Sequence, residues 1–305
     1  MKGNLFIDGQ DAFVEYGIFV EQYGLKELIA MPSFKKIDST EWDEYDGEEY
    51  DLTNPVLDAH TLTLQFYVMD IFAAGDLFEV LSNKAYHDFE FREIGRTYRL
   101  RLSNNSQLSR KIKVGKTSLT FVEDQPKIPS KQPFANAPQG FNQEGYMLDG
   151  IDFSRFGIYI LHGTDEGVMK APQVRENVIY DDPTKNGAIY DDYQVKYKTK
   201  QAQLKLLIHA DNIADFWARY DAFFSKLLKP ETRTFYLPSN YEEYDCFYRK
   251  MNIAKFDILK TGKVWCEFSV TLQFTNMTPL MNVTLLATED GEFVLTEDCE
   301  LCVIR

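Results

Sequence analysis

The residues able to do chemistry do not converge. Four histidines, His60, His87, His162 and His209, are scattered along the chain. A Ser-His or Cys-His couple needs a nucleophile presented on a sharp turn, and no Gly-x-Ser-x-Gly elbow accompanies any of them. Structural roles are expected for all four. Cys299-x-x-Cys302 has the spacing of half a zinc site or of a redox pair, but zinc needs a second pair of ligands at a sensible distance. Cys246 and Cys266 belong to another segment and no His pair follows, so Cys299 and Cys302 read as residues of an alternating strand. Gly115-Lys116-Thr117 resembles the end of a phosphate-binding loop. The motif's first glycine would stand where Arg110 is, and a strand rather than a helix follows, so a hairpin turn is expected instead. The run Asp38, Glu41, Asp43, Glu44, Asp46, Glu48, Glu49, Asp51 lacks the Asp-x-Asp-x-Asp-Gly order and distal Glu of a calcium loop. It reads as a solvated hairpin tip with Trp42, Tyr45 and Tyr50 among the carboxylates. No pair of carboxylates stands out as an acid/base couple. No catalytic, cofactor-binding or metal-binding residue is therefore assigned, no cofactor is expected, and the chain reads as a non-enzyme.

Composition narrows the partners. The 305 residues carry 33 Lys and Arg against 47 Asp and Glu, a net charge of −14. Nucleic-acid binding rests on clustered Lys and Arg, which such a chain does not offer. Neither a polybasic segment nor a membrane-length apolar run is present, so no membrane partner is expected. Met1-Lys2-Gly3-Asn4 leads into a short strand that Asp8 interrupts, unlike a secretion signal. Four cysteines are too few for a disulfide framework in this length, which fits synthesis in a reducing cytosol. The 23 Phe and 18 Tyr suit a strand-rich fold.

The elements around these residues occur twice. Leu5-Phe6-Ile7-Asp8-Gly9-Gln10-Asp11, followed by Tyr16-Gly17-Ile18, is answered by Tyr146-Met147-Leu148-Asp149-Gly150-Ile151-Asp152, followed by Phe156-Gly157-Ile158. Gly47 to Asp51 answers to Gly187 to Asp191. An alternating strand and an apolar helix then follow in both copies: Thr61 to Val68 with Asp70 to Leu81, and Gln203 to Ile208 with Asp211 to Leu228. Gly115-Lys116 with a strand to Phe121 is matched to Gly262-Lys263 with a strand through Phe268. Similarity in one fixed order predicts a duplicated module.

Asp8-Gly9 and Asp149-Gly150 are hairpin-turn signals, so residues 4 to 20 are expected to form two strands around a turn. Gly17 and Gly157 are expected to mark a bulge or a close backbone approach. Leu62, Leu64, Phe66 and Val68 share one face of a half-buried strand, as do Leu204, Leu206 and Ile208. In the second helix Ile213, Trp217, Tyr220, Phe224 and Leu227 form one stripe, widened by Phe216 and Phe223. Asp211 is its expected N-cap, and Pro230 its stop. The first helix, through Phe72, Leu77, Phe78 and Leu81, is interrupted by Gly75. The expected fold is mainly β with one helix per domain (α+β): two tandem β-sandwich or barrel domains and a short C-terminal β extension. The expected divisions are 1–123, a Pro-rich linker 124–144 holding Pro126, Pro129, Pro133 and Pro138, a second domain 145–276, and an arm or hairpin 277–305.

The order aromatic-x-Leu-Asp-Gly-x-Asp, Phe-Gly-Ile-Tyr-Ile, acidic hairpin, alternating strand, helix, and a strand after Thr232-Arg233-Thr234-Phe235-Tyr236-Leu237 resembles the N-terminal domain of phage distal tail proteins. Residues 145–275 carry the resemblance most fully, and 4–123 less closely. The resemblance implies a tail-tube-like β-sandwich packed by one helix, and a structural protein of the virion tail tip, made in the host cytoplasm. It implies self-association as a hexameric ring or a trimer, contacts with the tail tube protein and with tail hub and fibre proteins, and DNA passing through without specific binding. An acidic lumen would repel phosphate. Family members typically carry a galectin-like second domain, whereas here the second half repeats the first. A trimeric, pseudo-hexameric tail hub is thus the alternative. A non-catalytic carbohydrate-binding β-sandwich, using Trp42, Tyr45 and Tyr50, is a second one.

Overall fold

The computed structural model describes residues 2–42, 45–69, 71–105, 109–111, 114–130, 132–133, 141–143, 145–176, 179–190, 195–275, 284–285 and 303–304. Repeat one contains β1 (Leu5–Ile7), β2 (Gln10–Asp11), α1 (Ala12–Tyr16), β3 (Ile18–Val20), α2 (Lys26–Ile29), β4 (Ser39–Thr40), β5 (Glu49–Tyr50), β6 (His60–Val68), α3 (Ile71–Asn83), β7 (His87–Phe91), β8 (Arg96–Asn105), β9 (Ser109–Lys111) and β10 (Val114–Glu123). Repeat two contains β11 (Met147–Leu148), β12 (Ile151–Asp152), β13 (Ile158–Ile160), α4 (Thr164–Met169), β14 (Val174–Arg175), β15 (Ile179–Asp181), β16 (Ala188–Tyr190), β17 (Lys196–Tyr197), β18 (Lys200–Ala210), α5 (Ile213–Leu227), β19 (Arg233–Leu237), β20 (Glu242–Ile258) and β21 (Val264–Phe274). Near the C-terminus β22 (Thr284–Leu285) pairs with β23 (Val303–Ile304).

The protein is mainly β, with two curled half-barrel sheets. Their strand orders are β2-β1-β7-β8-β10-β6-β3 and β12-β11-β19-β20-β21-β18-β13, the same path walked twice, with β9 added beside β10 in the first. The alternating strands produce this layering. Leu62, Leu64, Phe66 and Val68 on β6, and Leu204, Leu206 and Ile208 on β18, are all at most 1% exposed. Each sheet thus has one dry face; α5 packs on that of repeat two, and Leu77 and Leu81 of α3 join the same buried cluster.

The outer faces of the same strands are polar and mostly uncharged. Thr63 stands opposite Thr120 and Gln65 opposite Ser118, and the two threonine hydroxyls lie 3.1 Å apart. In repeat two Gln203 faces Thr271 and Gln201 faces Gln273, the latter pair joined by a 2.8 Å hydrogen bond; there Gln201 and Gln203 are exposed, whereas Thr271 and Gln273 are buried. Hydroxyls and amides, not carboxylates, thus dominate these rows.

Five local expectations are corrected. After the Asp8-Gly9 hairpin the chain does not continue as strand: Asp11 accepts from the Phe13 and Val14 amides and starts α1, and Gly17 ends it in the left-handed region. Repeat two does the same with a 3₁₀ turn, Phe153–Phe156, capped by Asp152 and ended by Gly157. The two glycines are helix stops rather than bulges. The N-cap of α5 is Asn212, whose side chain accepts from Asp215 N–H, not Asp211. Gly75 does not break α3, which runs through it. Finally, Gly115 pairs with Val68, which pairs with Ile18. The matching residues are Ile158, Ile208 and Cys266, so the counterpart of Gly115 is Cys266 and not Gly262.

The repeats do not stand apart. One continuous buried cluster runs from Leu5 to Phe274 through both sheets. At the seam the Tyr220 hydroxyl donates to Ile29 O at 2.5 Å and the Tyr248 hydroxyl to Met31 O at 2.7 Å. The Trp217 indole N–H donates to Ile94 O at 2.6 Å, and Arg96 lies 3.4 Å from the centre of the Trp217 ring while bonding Asp221 at 2.6 Å.

Candidate assembly surface

The repeated Asp-Gly-x-Asp motif is the most elaborately bonded feature of the chain, and its work is structural. Asp8 and Asp149 are themselves left-handed, at φ 51° and 48°. Each exchanges backbone bonds with the strand that follows the long helix. Asp8 N–H donates to Asp88 O at 2.8 Å and Asp8 Oδ1 accepts from Asp88 N–H at 3.0 Å. Asp149 N–H donates to Thr234 O at 2.7 Å and Asp149 Oδ1 accepts from Thr234 N–H at 2.8 Å. The other carboxylate oxygen meets two nitrogen-bearing side chains. For Asp8 these are His87 at 2.7 Å and Lys84 at 3.0 Å; for Asp149 they are Arg233 at 2.8 Å and Lys226 at 3.0 Å. Burial alone pushes both carboxyls up, but the hydrogen bonds and cations outweigh it and hold both below the usual aspartate range. The second aspartate of each motif fastens the entering strand: Gly3 N–H donates to Asp11 Oδ2 at 2.7 Å and Gly145 N–H to Asp152 Oδ2 at 2.8 Å.

The other chemistry-bearing residues stay dispersed. His87 is buried in the clasp just described, with Nε2 unpartnered among the described residues. His60 is 3.9 Å from Glu123, His162 is 3.6 Å from Glu166, and His209 sits 5.9 Å from the Trp265 ring. Cys246 and Cys266 are buried free thiols that burial pushes far up. Cys299 and Cys302 lie outside the described residues, as does most of the 277–305 arm. Among the described residues no group of three His, Cys, Asp or Glu is placed to hold a metal ion. Gly115 and Lys116 lie within β10, in neither a loop nor a turn, and Lys116 bonds Glu21 at 2.8 Å. No described helix is long and apolar enough to cross a membrane.

The acidic hairpin predicted at 38–51 is part of an arm, residues 33–58, that reaches from repeat one onto repeat two. Asp43 and Glu44 lie outside the described residues. Phe34 packs edge-on to Tyr248 at 5.5 Å and Tyr50 edge-on to Phe247 at 4.9 Å. Arg175 bonds Glu41 at 2.7 Å and the carbonyls of Trp42 and Tyr45 at 2.6 and 2.9 Å. The Tyr197 N–H donates to Asp46 Oδ1 at 2.9 Å, and Tyr197 O accepts from Gly47 N–H at 2.9 Å. Leu52 O accepts from Glu231 N–H at 2.8 Å. Trp42, Tyr45 and Tyr50 border a shallow cleft of about 410 Å³. A wider one of about 930 Å³ lies along the seam, walled by Tyr86, Arg96, Tyr98 and residues 123–130.

Repeat two carries an equivalent arm in the same register, described over residues 173–176, 179–190 and 195–198. Ser39 pairs with Tyr50 and Ile179 with Tyr190; Phe34 bridges Leu57 and Val174 pairs with Tyr197. Its environment differs. Phe34 is 8% exposed but its counterpart Val174 is 52% exposed, and Ile179, Tyr180, Ile189 and Val195 are exposed as well. The signal for this site in the sequence was the second hairpin, Gly187 to Asp191 answering Gly47 to Asp51.

No family model and no curated protein matches the chain. A solved structure it is similar to is that of SPP1 Dit, described as a paradigm of the hub adsorption apparatus in phages infecting Gram-positive hosts. The two share 11% identity and a TM-score of 0.30, over 88% of this chain and 97% of that one. A likeness at that level carries no argument about this chain.

Proposed function

We propose that the protein is a structural, non-catalytic component of a phage tail, a distal tail or baseplate adaptor that closes into a ring around the DNA channel. The observation that carries this reading is the doubling of one sheet path within one polypeptide, joined tip-to-base by an arm. A heterologous contact of this kind propagates, and it makes a ring where the rotation closes. The order of motifs in residues 145–275, which resembles distal tail proteins, names the particle. The polar rows on β6, β10 and β18 suit a channel wall: Thr, Ser and Gln give phosphates few cations to bind. The close packing of the repeats favours a second form of the same reading, a trimeric hub in which three chains supply six wedges.

Negative-stain microscopy and native mass spectrometry of the purified protein test it. A hollow ring of three or six chains is expected. A solid or open-ended assembly, or a chain that stays monomeric both alone and with tail tube protein, overturns it.

A further inference from the structure

The junction between the repeats joins the tip of arm one to the base of arm two. Among the described residues the tip of arm two and the base of arm one have no such junction, and the shared register identifies their counterparts. Arg175 at the occupied base corresponds to Lys35 at the open one, and Glu41 at the occupied tip corresponds to Asp181. Lys35 and Asp181 are both exposed and opposite in charge. Tyr197, whose N–H and C=O receive the first tip, corresponds to Leu57. Asp58 N–H to Ser33 O and Lys35 N–H to Val56 O take up the bonds flanking the Phe34–Leu57 bridge. The Leu57 N–H and C=O therefore point to the side that Tyr197 uses. Asp46 and Gly47 correspond to Asn186 and Gly187. Asparagine presents the same carbonyl acceptor, and Gly187 has φ 77° where Gly47 has 74°. The open base borders a groove of about 170 Å³ walled by Lys35, Pro55 and Val56.

We infer that arm two of one chain seats on the base of arm one in a second copy, with Asp181 against Lys35 and Asn186-Gly187 against the Leu57 backbone. The contact repeats the internal junction between chains. It also covers Val174, as repeat two covers Phe34. This names the self-contact of the ring reading and rests on it.

Charge reversal tests it, because both side chains are on the surface and fold retention is checked by the melting temperature. Sedimentation is measured for the full chain, for Asp181→Lys, for Lys35→Glu and for the double variant. Each single reversal is expected to weaken association by roughly tenfold as like charges replace an ion pair, and the double variant to restore it. An oligomer indifferent to both single reversals, or one that the double variant fails to restore, overturns this interface and leaves the ring reading standing. A wild-type chain that never associates overturns both.

Discussion

The hydroxyl of Tyr220, on the helix of repeat two, donates to the carbonyl of Ile29, at the end of α2 in repeat one, across 2.5 Å of buried space. Both residues are buried. With Tyr248 on Met31 and Phe34 on Tyr248, the bond lies in a seam that belongs to both cores.

A seam of this kind couples the repeats, so they are expected to unfold in one transition. Urea melts followed by Trp emission and by far-ultraviolet circular dichroism should coincide. Tyr220→Phe leaves the Ile29 carbonyl buried and unpaired, and is expected to lower stability by about 1–3 kcal/mol without splitting the transition.

The two aspartate clasps differ in their cations, and so should their variants. Asp149→Asn leaves Arg233 and Lys226 facing each other with no carboxylate between them. A cost of about 3 kcal/mol is expected, in the range for breaking a buried ion pair. Asp8→Asn removes a partner from His87 and from the more exposed Lys84, and about 1–2 kcal/mol is expected. Chemical denaturation at neutral pH checks both.

The pH dependence follows from the same groups. Asp8 and Asp149 have folded pKa values below the ordinary one, the net result of burial opposed by stronger hydrogen bonds and cations. Between the folded and unfolded values the unfolded chain binds more protons, so stability rises with pH there. Their contribution is full above about pH 4 and is lost as pH falls through the lower folded values. Asp221 has the opposite sign: burial raises it despite Arg96, so it costs stability above its folded value and less below. Acid titration of stability in Asp149→Asn should be shallower than in the wild type.

Left-handed glycines separate backbone strain from crowding. At Gly150, φ 71°, an added Cβ meets nothing within 4 Å. At Gly157, φ 64°, it would lie 1.8 Å from Arg219 Nη1, and Arg219 is itself held by Asp215 at 3.0 Å. Gly150→Ala is expected to cost about 1 kcal/mol of left-handed strain, and Gly157→Ala to cost that and more, roughly 2–3 kcal/mol. Melting temperatures of the two variants, compared side by side, decide it.

Residue types and spacing were enough for several elements. Asp-Gly in an apolar run makes its hairpin wherever it stands, and alternation in Leu62 to Val68 marks one dry side. The stripe from Ile213 to Leu227 closes one helical face, and the internal echo announced two modules. These are short-range properties, set within a turn or a pleat. The echo failed where register is set at long range. Gly115-Lys116 and Gly262-Lys263 look alike, yet hydrogen bonds to β6 and β18 place Gly115 level with Cys266.

What the tertiary structure decided is which surface meets which. The periodicity that buries Trp217, Tyr220 and Phe224 says that a face is dry, not whether its own sheet or the other repeat covers it. Here both do: Phe224 packs on Tyr248 and Phe268 of its own sheet, while Ile94 and Ile29 of the other repeat accept from Trp217 and Tyr220. In the same way two arms with one register became one covered and one bare, because only one of them has a second repeat within its own chain to lie on. Apolar pattern fixes the need for cover, whereas the identity of the cover is a contact between residues distant in the chain, and only the folded arrangement selects it.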